Sequence, residues 1–137
     1  MKHNPLLTIF SLLTLLLLTF HLAGDIVRGF EPGGLSNLVG TALIAVVWLY
    51  GLLVLAGRWP GYVIVLLGSL LGMFVPYVHM KGRGVGVTSG IANSNGGFFF
   101  VWTLLAIGVT SLFSVILSAH GLWGLLSKRS ARTEARL

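Results

Sequence analysis

The 137-residue chain contains no cysteine and only three acidic residues, Asp25, Glu31 and Glu134. The first absence excludes disulfides, thiolate metal sites and CxxC redox chemistry, and with them the thiol-oxidising four-helix membrane enzymes. Charge of either sign is scarce, at 9% of residues, and its placement is more informative than its amount. No Lys, Arg, Asp or Glu occurs from Pro5 to Gly24, Leu35 to Gly57, Trp59 to Val78 or Gly97 to Leu126. Ionisable side chains in mid-membrane usually mark proton relays and ion paths, so their absence from these segments argues against coupled transport. The small four-span multidrug exporters are similar in size but depend on an embedded carboxylate, which has no counterpart here.

What remains is strongly apolar: 55% hydrophobic residues and a mean hydropathy of +0.95. Runs such as Leu12 to Phe20 and Ile44 to Leu55 are apolar around almost the whole helix, whereas a soluble helix needs a polar face. A bilayer core is crossed by about 20 mostly apolar residues. The predicted fold class is therefore all-α: a polytopic membrane protein forming an antiparallel four-helix transmembrane bundle. It is read as a single domain over 1–137, with spans near 5–24, 35–57, 60–79 and 97–126 and a basic tail over 127–137. The first helix is expected to extend toward Phe30. Its apolar run is longer than a signal-peptide core of roughly 7 to 15 residues, and His21 is ill suited to the minus-three position of a cleavage after Ala23, so this span is expected to be retained.

Four spans put both termini on one side. With the termini inside, that side holds Lys2, Arg58, Lys128, Arg129, Arg132 and Arg136, against Arg28, Lys81 and Arg83 outside. The excess of inner positive charge predicts cytoplasmic termini in the cell membrane. The formal charge of +6 does not form a nucleic-acid face, because the basic residues are scattered through loops except in the C-terminal tail. The expected partners are the lipid bilayer and a membrane protein or second copy, with no nucleic acid.

The inner turn Gly57-Arg58-Trp59-Pro60-Gly61 is short enough to require an antiparallel hairpin, with Pro60 in the first turn of the next helix. The outer segment from Met80 to Gly96 is glycine-rich and reads as irregular. It lacks both a Walker ending and a dinucleotide fingerprint. Trp59, Tyr62, Tyr77, Trp102 and Trp123 lie near span ends, where aromatic rings favour the headgroup level.

Helical spacing sorts the remaining polar and small residues into faces. Ser11, Thr14, Leu18, His21, Asp25 and Arg28 share one side of the first span. Gly68, Gly72 and His79 share a stripe on the third, and Gly68 and Gly72 form a small-xxx-small pair suited to internal packing or dimerisation. Asn37, Gly40 and Gly51 mark the second span; Ser111, Ser114, Ser118 and Gly121 mark the fourth.

The sharpest chemical constellation is His21, Asp25 and His79 at the outer surface, a set suited to zinc or another transition metal, with two imidazoles able alternatively to clamp a haem. An i to i+4 His and Asp pair is a weak motif by itself, so the sequence favours interfacial histidines and local ion pairing. The leading expectation is a non-enzymatic accessory, assembly or scaffold subunit with no cofactor. A metal- or haem-binding redox protein or enzyme is the alternative. Passive passage of a small solute through an oligomer, suggested only by the hydroxyl stripe, is the third. His120 and His3 stand apart from the cluster.

Overall fold

The computed structural model describes residues 4–29, 33–81 and 97–134. Their regular structure is entirely helical: α1 (Pro5–Val27), α2 (Leu35–Leu49) with a π-helical turn (Tyr50–Val54), α3 (Trp59–Lys81) and α4 (Gly97–Glu134). All four helices, α2 together with its π turn, are long and apolar enough to cross a membrane. The protein is a small polytopic membrane protein with a four-helix bundle. The glycine-rich segment 82–96, Glu31, His3 and Arg136 lie outside the described residues.

Local chemistry explains the helix limits. Asn4 caps α1 by accepting the Leu7 N–H at 3.2 Å, and Pro5 follows at the first helical position, where no N–H is needed. At the other end the Arg28 N–H donates to Gly24 O at 3.1 Å, and Gly29 takes a left-handed φ of 72° that stops the helix. In the α2–α3 hairpin the Leu55 N–H reaches back to Tyr50 O at 3.0 Å, and Gly57 turns the chain with φ 71°. Pro76 lies inside α3 and removes the N–H that would bond Gly72 O; the bare Cα of Gly108 on α4 faces its ring.

α4 departs from the expected end of the fourth segment. The tail residues Ser127 to Glu134 continue the helix, which at 38 residues is about 57 Å long and so longer than the ~30 Å hydrocarbon layer. Beyond Gly124 the chain has no glycine or proline, and Ser, Lys, Arg and Ala sustain helical backbone, with Lys and Arg favourable near its C-terminal dipole end.

The α3–α4 and α1–α4 interfaces are the most extensive, while the second span packs chiefly on α3 and joins α1 in the Leu7, Trp48 and Leu52 cluster. Polarity is reversed relative to a soluble bundle. Ser11, Thr14, Ser69, Ser111, Ser114 and Ser118 are fully buried, while large apolar side chains on every helix face outward. Lipid chains solvate Leu as well as a neighbouring helix does, so small residues and hydroxyl contacts favour association instead. Ser11 Oγ donates to Ser114 Oγ at 3.3 Å, and the Thr14 and Thr110 hydroxyls meet at 2.9 Å. Gly72 lies between Thr14 and Ser111, and Gly68 lies under the Trp48 ring, so both glycines pack within one chain. Gly40 has no such neighbour, although it was expected to mark the packing face of α2. Of the interfacial aromatics, Trp59, Tyr77, Trp102 and Trp123 are exposed. Tyr62 instead turns inward beside Gly121, because that glycine leaves room for its ring.

Candidate metal centre

At the end of the bundle opposite the α2–α3 hairpin, the polar side of α1 meets α3. His21 and Asp25 are one turn apart on α1 and 7% and 3% exposed; His79, two residues before the end of α3, is half-buried. The Nε2 atoms of His21 and His79 are 3.2 Å apart, and His21 Nε2 is 3.4 Å from Asp25 Oδ2. One ligand atom from each residue falls within 4.8 Å of the others. The imidazole planes cross at 87° with centroids 4.6 Å apart.

Phe100, in the first turn of α4, holds this arrangement from the third side. Its ring is 4.9 Å from that of His21 and 5.8 Å from that of His79, centroid to centroid, and it is 2% exposed. Arg28 continues the α1 stripe and places its guanidinium carbon 5.7 Å from the Phe100 centroid. Phe100 lies outside the stripe that starts at Ser111 and so carries no signal in that pattern. Extending the same three-four spacing backwards gives Ile107, Leu104 or Thr103, and Phe100, all of them buried.

The donor set fits zinc. Zn–N and Zn–O bonds of about 2.0–2.1 Å in a tetrahedron require neighbouring ligand atoms about 3.3 Å apart. Two of the three separations, 3.2 and 3.4 Å and both measured from His21 Nε2, lie near that edge, and all three donor atoms fall within 4.8 Å of one another. Two imidazoles on opposite faces of a haem iron would instead stand about 4 Å apart with a macrocycle between them. Here the rings touch edge to face, with Phe100 packed against both. His21 Nδ1 is buried with no hydrogen-bond partner among the described residues, so no protein acceptor there sets the tautomer. A zinc ion held by these three donors would keep one of its four positions free.

The remaining candidates fall elsewhere. Ser111, Ser114 and Ser118 form the α4 seam against α1 and α3 and are fully buried within one chain. His120 is exposed on α4, well removed in sequence from Phe100 and the cluster. No protein-family model matches the chain, and searches of curated proteins and of solved structures return no match. Fold and site together define a polytopic membrane protein with a largely buried cluster of His21, Asp25 and His79 near one end of its bundle.

Proposed function

We propose that this chain is a membrane metal-binding protein in which His21 Nε2, His79 Nε2 and an Asp25 carboxylate oxygen hold a divalent transition ion, zinc being the best match to the donors. The observation that carries this reading is the meeting of two imidazole nitrogens and a carboxylate from α1 and α3 within 4.8 Å of one another, two of the separations being close to the edge of a zinc tetrahedron. When bound, zinc supplies a Lewis acid with one position open to an oxygen donor. The chain's own contribution is to orient the donors: α1 spaces His21 and Asp25 by one turn, and Phe100 walls both imidazoles. Purified protein equilibrated with zinc and then dialysed should retain one ion per chain by elemental analysis. His21→Ala, Asp25→Asn and His79→Ala should each lose it while keeping the wild-type circular dichroism. Wild-type protein without stoichiometric zinc, or with a haem Soret band, overturns the assignment.

In this reading both termini are cytoplasmic and the cluster lies at the outer surface of the cell membrane, an orientation that the six-to-three distribution of basic residues favours. A cytoplasm-specific reporter fused after Gly86 should be inactive; activity reverses the orientation. An accessory-subunit role is the second reading, and the observation that favours it is α2, in which only Trp48 is buried. A membrane protein co-purifying in fixed ratio, and lost when the outward face of α2 is changed, would support that role.

A further inference from the structure

The cluster does not end in a closed core. His21, Asp25 and His79 form one end of a cavity of about 280 Å³ whose other walls include Leu22, Thr41, Ile44, Trp48 and Val75. A second hollow of about 330 Å³, lined by Leu43, Val47, Ile64 and Leu67, shares Ile44, Trp48, Gly68 and Leu71 with the first. The two hollows adjoin along α2 and α3, where those four residues line both, and together they make a groove. Its sides are exposed to the surroundings of the bundle, Ile44 at 56% and Leu71 at 63%. From His79 to Ile64 the groove follows α3 for about 22 Å, more than the ~15 Å depth of one hydrocarbon leaflet. A long acyl chain can therefore lie along it.

Charge selects the head group. Zinc with two neutral imidazoles and one carboxylate carries a net positive charge, and the Arg28 guanidinium lies on the neighbouring Phe100 ring. An anionic oxygen donor complements such a site; a cationic amine does not. We infer that the open metal position is reached sideways from the bilayer and takes the carboxylate of a long-chain fatty acid, whose tail occupies the groove between α2 and α3. This inference rests on the metal-binding reading proposed above.

Cobalt(II) tests it, because its visible absorption reports a change of ligand. The full-length chain would be placed in nanodiscs free of fatty acid, loaded with cobalt and titrated with oleate, methyl oleate and acetate. Oleate should shift the visible bands and saturate at one per chain. Methyl oleate, with no anionic head, should produce no shift, and acetate, with no tail, should need a much higher concentration. Ile44→Trp fills the groove from its exposed wall and should keep cobalt while weakening oleate at least about tenfold, equivalent to about 1.4 kcal/mol. Leu71→Trp is the second blocking variant, and retained cobalt shows that either variant has folded. Equal potency of acetate and oleate, a shift with methyl oleate, or undiminished oleate affinity in both blocked variants overturns the inference. Bound cobalt without any oleate response defeats the fatty-acid assignment alone; failure to bind cobalt or zinc defeats the metal reading beneath it.

Discussion

Substituting alanine at three glycines should separate three packing environments that sequence makes look alike. At Gly40 an added methyl group meets nothing within 4 Å, so Gly40→Ala gains helix propensity, up to about 1 kcal/mol. At Gly72 the new methyl lies 2.5 Å from Ser111 Oγ, but that hydroxyl is a single atom on a rotatable bond and the other neighbours are at 3.4 Å or beyond. Its rotation offsets the propensity gain, and Gly72→Ala should be close to neutral. At Gly68 the methyl meets three atoms of the Trp48 ring at 2.8, 2.9 and 3.2 Å. That ring is rigid and 2% exposed, so it moves only with α2. Overpacking costs about 1–3 kcal/mol, which after the propensity gain leaves Gly68→Ala destabilised by about 0–2 kcal/mol. The predicted order of stability is Gly40→Ala, Gly72→Ala, Gly68→Ala, with a spread of about 1–3 kcal/mol between the extremes. SDS titration in mixed micelles, followed by near-ultraviolet circular dichroism, measures it. In a Trp48→Ala background the penalty at Gly68 should vanish, which identifies its source. Gly68→Ala as stable as Gly40→Ala, or an unchanged penalty without Trp48, refutes the reasoning.

Zinc affinity should fall as pH drops, because ion and protons compete for the same lone pairs; competition with a chelator at two pH values measures this, and a rise toward acid contradicts ligation by imidazole. Phe100→Ala should cost about 2 kcal/mol, mainly lost packing since the exterior is hydrocarbon, and should weaken zinc without removing a ligand. Chelator competition and SDS titration on one preparation read both effects, and an unchanged zinc affinity would show that the ring does not hold the imidazoles. Removing residues 127–137 should lower the helical signal yet alter bundle stability by less than about 0.5 kcal/mol, since Ser127 to Ala131 are exposed. A loss above about 1 kcal/mol would mean that the end of α4 is packed against something.

Membrane residence and the helices were legible in the sequence because each follows from one-dimensional properties: segment length, apolar content and the positions of charge. Periodicity also placed Ser11, Thr14, His21 and Asp25 on one side of α1, since side-chain direction repeats with the helical turn whatever the neighbours are. It could not say which faces meet. Gly40, Gly68 and Gly72 are indistinguishable small residues in the sequence, and only the packing of α3 sets Gly68 under Trp48, Gly72 beside Ser111, and Gly40 against nothing. His21 and His79 are likewise two isolated histidines until the α1–α3 contact brings their nitrogens to 3.2 Å, with Phe100 from α4 closing the third side. The groove beside them is walled by residues of α1, α2 and α3 together, a relation between helices that no local pattern encodes.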